Sequence, residues 1–233
     1  MEIPHSPSMP LRNTPSLWAD PDEKALYRWG GDGPYGAIID KDDIQLWVLP
    51  LDNSAQDDGA VSWTSQAPAN PEVFNTISAG VGGASTTCGD NGYYIGGFGT
   101  VSSDPSFYNI KFAQDAVSLP GVLSYNMADA KWANDSTVGM NAFGSVKASK
   151  AVCLRDDEGE GNADPLIIIM GGQATGRWSA TDYSSEVNDI NNITVYNTNT
   201  KEWHSQMATG DTPLATDFFC AVAVKGQDDH YEM

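Results

Sequence analysis

Apolar residues in this chain come in short dense runs that end on paired glycines. Leu166-Ile-Ile-Ile-Met-Gly-Gly172 is the densest, and its β-branched content predicts a strand buried on both faces, stopped where the backbone turns or meets a neighbour closely. Ala25-Leu-Tyr-Arg-Trp-Gly30-Gly31 and Gly92-Tyr-Tyr-Ile-Gly96-Gly97 carry the same figure, so the second glycines stand at 31, 97 and 172. Each is followed by a variable segment, an apolar or aromatic strand and a tryptophan, at 63, 132 and 203, giving spacings of 32, 35 and 31 residues. Recurrence of strand, Gly-Gly, strand, Trp predicts a repeat architecture.

Turn chemistry divides each unit into four antiparallel strands. In the first, Ser16–Ala19 and Ala25–Trp29 flank Asp20-Pro-Asp-Glu-Lys, and Ile44–Leu49 and Val61–Thr64 flank the acidic turn Asp52–Ala60. The second comprises Gly83–Cys88, Tyr93–Gly97, Gly121–Asn126 and a strand opened by Trp132. The third comprises Ala148–Leu154, Leu166–Gly172, Ile193–Asn197 and Glu202–Ser205. A fourth begins at Asp217-Phe-Phe-Cys-Ala-Val-Ala-Val and has no Gly-Gly strand of its own before Met233. The expected organisation is a proline-rich lead-in over 1–15, units over 16–66, 83–136 and 148–206, and a partial unit over 217–233.

Gly96-Gly97 with Tyr125 and Trp132, and Gly171-Gly172 with Tyr196-Asn197 and Trp203, resemble kelch repeats. Gly30, Gly31 and Trp63 continue the series, with Trp47 or Leu49 where the tyrosine belongs. The resemblance covers 16–233 and implies an all-β, kelch-type β-propeller. Each repeat would be one four-stranded blade, the glycine pair would end its second strand, and the tyrosine and tryptophan would pack between blades. The units recur about every 70 residues against roughly 50 for kelch repeats, the excess lying in loops. Long loops and Asn/Thr/Ser-rich turns are similar to those of kelch proteins of filamentous fungi. Propellers use about four to eight blades. Three blades and the first strands of another therefore predict an incomplete ring, a fragment whose partners include the remaining blades of a parent protein.

Composition narrows the function. Twelve Lys and Arg against 31 Asp and Glu give a net charge of −19, which repels phosphate backbones and anionic surfaces and argues against nucleic acid as a partner. No run of 18 apolar residues could cross a bilayer, and Met1–Leu11 is polar and proline-rich, unlike a signal peptide. A secreted or membrane-anchored parent is compatible with two N-glycosylation sequons, at Asn134 and Asn192. Three cysteines cannot complete a disulfide framework. Cys88, Cys153 and Cys220 precede Gly-Gly strands, or would, and read as small buried hydrophobes at matching places.

No catalytic, cofactor or metal set emerges. His5, His204 and His230 have no ligand spacing, and Asp156–Glu160 lacks EF-hand spacing. Gly80–Gly83 and Gly96–Gly99 lack the Gly-Lys-Ser/Thr ending of a phosphate loop and read as turns. Kelch propellers resemble the central domain of galactose oxidase, whose copper-radical ligands find no match here, so an oxidase or a secreted carbohydrate-binding protein would need its chemistry elsewhere. In a four-stranded meander the links between strands two and three, and between units, emerge on one face. That face would carry Tyr35, Phe107, Tyr108, Phe112, Arg177, Trp178 and Tyr183, side chains of the kind that anchor protein interfaces. The expectation is a non-catalytic module that binds another protein there.

Overall fold

The structure, a computed structural model, describes residues 9–34, 37, 39–51, 62–108, 115–142, 144–155, 164–174, 177–179, 187–211, 214, 219–226 and 231–232. Its body is three four-stranded antiparallel sheets. Sheet one runs β1 (Ser16–Ala19), β2 (Ala25–Trp29), β3 (Leu46–Pro50) and β4 (Thr64–Gln66) in that spatial order. The second stretch supplies β5 (Ala84–Cys88), β6 (Asn91–Ile95), β7 (Phe98–Gly99), β8 (Asp115–Ser118), β9 (Val122–Asn126) and β10 (Lys131–Asp135), of which β5-β6-β9-β10 make sheet two. In the third, β11 (Lys150–Leu154), β12 (Leu166–Met170), β14 (Asn192–Asn197) and β15 (Trp203–Met207) make sheet three, with β13 (Arg177–Ser179) inserted between β12 and β14. One short helix, α1 (Pro71–Phe74), lies between sheets one and two. No helix among the described residues is long and apolar enough to cross a membrane.

Side chains alternate along a strand, so a sheet between two others feeds two cores. Tyr94, Leu123 and Tyr125 of sheet two enter a core with Trp18, Tyr27 and Trp29 of sheet one, while Tyr93, Ile95 and Val122 enter another with Ile167, Ile169 and Tyr196 of sheet three. This explains why the central strands read as unbroken apolar runs. The first strands β1, β5 and β11 lie side by side in that order.

The glycine pairs hold adjacent sheets together. All six glycines have positive φ, from 57° to 90°. The N–H of Gly31 donates to the Gly80 carbonyl at 3.0 Å, and that of Gly97 donates to the Val146 carbonyl at 2.6 Å. Gly80 and Val146 each stand four residues before the first strand of the next sheet. A Cβ at Gly96 would lie 2.6 Å from the Val146 nitrogen and 2.7 Å from its oxygen, backbone atoms that cannot swing aside. The residue after each pair bridges the entry to its own sheet, as Asn13–Asp32, Val81–Phe98 and Lys147–Gln173.

Three expectations change, and one open alternative is decided by the register. The fourth strand of sheet one is Thr64–Gln66, so of the expected Val61–Thr64 strand Ser62 and Trp63 stand just before it and Val61 lies outside the described residues. Pairing of Leu26 with Leu49, matching Gly92 with Tyr125 and Ile167 with Tyr196, makes Leu49 rather than Trp47 the tyrosine equivalent. Cys88 and Cys153 are not separate hydrophobes: they form a disulfide with Cα atoms 5.4 Å apart, joining the neighbouring strands β5 and β11. Cys220 is exposed with a free thiol. Finally, the Asp217–Val224 strand is reduced among the described residues to the ladder β16 (Val224–Lys225) with β17 (Tyr231–Glu232). Val222 and Val224 are solvent-exposed there.

Candidate functional site

The connections expected on one face do meet, through contacts the sequence does not announce. The long links of the second and third units are not merely loops: β7, β8 and β13 form a three-stranded sheet, with Phe98 opposite Ser118 and Trp178 opposite Ala116. One link thus lends an edge to the other. Ala116 is buried beneath this small sheet, while Val117 is partly exposed.

Sheet one's connection joins the same surface by polar contacts. The Gly33 N–H donates to the Ser102 carbonyl at 2.8 Å, and the Thr100 hydroxyl donates to Asp32 Oδ1 at 2.7 Å. Arg12, from the proline-rich lead-in, donates to the carbonyls of Ser102, Ser103 and Asp43. Burial lowers the Arg12 pKa, opposed by Asp43, Asp32 and Asp104. Asp104 is itself buried and caps the 3-10 turn Pro105–Phe107 by accepting the Ser106 N–H at 2.8 Å, while its other oxygen accepts the Ala79 N–H at 2.8 Å. Four chain segments converge here. Sequence reasoning missed Arg12, Asp32, Thr100 and Asp104; the one available signal was an arginine within a proline-rich stretch of a strongly acidic chain.

The predicted aromatic surface is placed only in part. Tyr108 is 52% exposed, whereas the ring of Phe107 packs against Gly99 of its own link. Arg177 and Trp178 lie on β13 beside β8. Tyr35, Phe112 and Tyr183 lie outside the described residues. Asn134 and Asn192 are both exposed.

Two concavities open on the same side. A cleft of about 480 Å³ lies between the β2–β3 connection and the link from sheet one to sheet two, with Ile44, Pro68, Pro71, Phe74 and Ile77 among its walls. A smaller notch of about 110 Å³ between sheets two and three is lined by Asn141, Asn188, Asp189, Asn192, Thr194 and Ser205. Among the described residues no three His, Cys, Asp or Glu side chains gather as metal ligands.

No protein-family model matches the chain, and no curated protein matches it by sequence. Among solved structures it is similar to that of YjhT, with a TM-score of 0.51 and 14% identity over 86% of this chain and 47% of the other. The chain thus spans about half the length of the YjhT chain, and the likeness is one of fold alone.

Proposed function

We propose that the chain is part of a kelch-type β-propeller and acts as a non-catalytic interaction module whose loop face recognises another protein. The reading rests most on one observation: links from consecutive units are joined into a continuous surface, by the β7-β8-β13 sheet and by the Arg12–Ser102 and Asp32–Thr100 contacts. A surface braced in this way loses little conformational entropy on binding, and exposed Tyr108 supplies an aromatic anchor of the type found at hot spots. Three sheets linked through Gly-Gly contacts at matching positions support the propeller. The fold likeness to YjhT over most of the chain is compatible with it.

Site-specific photocrosslinking tests the proposal. A benzophenone amino acid at Tyr108 is expected to capture one protein from the native source, and one at Asn199, on a β14–β15 turn at the other end of the strands, is expected not to. Capture from both positions, or only from Asn199, would refute a loop-face module. A second reading, recognition of a neutral carbohydrate, is favoured by the amides and hydroxyls of the notch around Asn188 and Thr194. Retention of the chain on an immobilised glycan, lost in Asn188→Ala, would select it instead.

A further inference from the structure

Two features that the loop face does not use point to one compartment. The Cys88–Cys153 bond joins β5 of one unit to β11 of the next, 65 residues apart in the chain. Such a link persists where thiols are oxidised rather than held reduced, in the secretory lumen or outside the cell. Asn-X-Ser/Thr acceptors receive N-linked sugar on that same route, and a used acceptor belongs on the surface. A sequon buried in a sheet would rule itself out.

Asn192-Ile-Thr194 meets the condition. Asn192 is the first residue of β14, follows a turn in which its N–H donates to the Asp189 carbonyl at 2.9 Å, and is exposed. It stands at the opposite end of β14 from the Asn197–Glu202 turn, and so at the loop-face end of sheet three. Its Oδ1 accepts the Ser205 hydroxyl across the β14–β15 ladder, while its Nδ2 donates to none of the described residues. That division matters. Glycosylation replaces one hydrogen on Nδ2 and leaves Oδ1 an acceptor, so the native contact with Ser205 survives the modification. The surface beside it is polar, with Asn141, Asn188, Asp189 and Ser205 among the walls of the neighbouring notch, and a sugar lying there meets hydrogen-bonding groups.

We propose that Asn192 is an N-glycosylation site and that the chain matures in an oxidising, glycosylating compartment. In the transfer, Asn192 Nδ2 forms a bond to the anomeric carbon of a lipid-pyrophosphate-linked oligosaccharide. The bond from that carbon to the pyrophosphate oxygen breaks, the lipid pyrophosphate leaves with the electron pair, and one amide proton passes to a base. No oxidant is needed for this step. The address to that compartment is not Met1–Leu11, which is polar and proline-rich. The proposal holds whichever protein the loop face recognises.

Two measurements on the full chain decide it. The protein is isolated from its native source with thiols blocked at lysis, and its peptides are weighed after a glycan amidase has acted in heavy-oxygen water. Conversion of Asn192 to a heavy-oxygen aspartate is expected, with Cys88 and Cys153 recovered as one linked peptide pair. A bare Asn192 would overturn the proposal; linked cysteines would then locate the failure in the site, and free thiols would locate it in the compartment. In the same cells, Thr194→Ala is expected to remove one glycan step on a gel while leaving Asn192 in place. Thr194→Ser, which keeps the acceptor motif, is expected to retain that step, and Asn192→Gln gives the loss if Thr194→Ala fails to fold. Unchanged mobility in both Thr194→Ala and Asn192→Gln would equally overturn the assignment.

Discussion

The two interfaces between sheets solve the same packing problem with different materials. Between sheets one and two the contact is aromatic. Trp18 stacks on Tyr125 at 6.4 Å, and Trp132 stands 4.5 Å from Trp29, 5.0 Å from Tyr125 and 5.6 Å from Phe74. The Trp18 indole N–H crosses to sheet two, shared between Ser85 Oγ and the Tyr93 carbonyl. Between sheets two and three the filling is aliphatic, Ile95 against Ile167 and Ile169, with the Cys88–Cys153 disulfide at one end. Tyr196 and Trp203 repeat the Tyr125 and Trp132 pairing at 4.7 Å, yet Trp203 is only half-buried and donates to the Ser136 carbonyl. Equivalent repeat positions are therefore not energetically equivalent: large rings close the first interface, a covalent link and smaller side chains the second.

The sharpest break of that comparison is Trp132→Ala, expected to cost about 3–5 kcal/mol because a 3%-exposed indole touching four aromatic rings leaves a cavity. Trp203→Ala is expected to cost clearly less, although both tryptophans occupy the same repeat position. Urea denaturation of both variants measures the difference, and equal losses would erase the distinction between the interfaces. Next in size is the disulfide. Replacing Cys88 and Cys153 together by serine frees a 65-residue loop, and the expected loss is about 2–4 kcal/mol in the same assay. A loss below about 0.5 kcal/mol, the size of an ordinary surface change, would mean that the aliphatic interface stands without its link.

Gly96→Ala forces a left-handed residue with a Cβ against the Val146 backbone, and a loss of about 1–3 kcal/mol is expected. Gly82 is constrained as well, because its φ is 72° and the Phe98 ring lies 2.8 Å from where a Cβ would stand. The smallest effect separates the two tyrosines. Tyr196 donates to Asp135 Oδ2 at 3.0 Å, so Tyr196→Phe is expected to cost about 1 kcal/mol. Among the described residues the Tyr125 hydroxyl is buried without a partner, so Tyr125→Phe is expected to be neutral or slightly stabilising. The reverse order of the two midpoints would show that the hydroxyls play other parts than their contacts indicate.

Much of this was legible in the residues. Period-two alternation, dense β-branched runs and Asp/Pro/Gly turns predict eleven of the twelve strands of the three sheets to within about two residues, and the Gly-Gly figure marks the ends of the second strands. The exception lies in sheet one, where Trp63 looks like a strand residue but the fourth strand starts at Thr64, opposite Val48. The loop surface was legible only as a direction. Its aromatics were named from composition, while the residues that brace it are short polar ones, Asp32, Thr100 and Asp104, common in any turn.

What the sequence by itself determined was local: which runs are strands, where the chain turns, and that three units follow one plan. A pleated strand needs only its own alternation, and a positive φ needs only its own glycine. The tertiary structure decided every pairing between units. Cys88 found Cys153 across 65 residues, β8 found β13, and the Thr100 hydroxyl found Asp32. Those partners lie in different units and were selected by how adjacent sheets stack, a geometry set by the whole set of buried contacts and written in no single stretch of the chain.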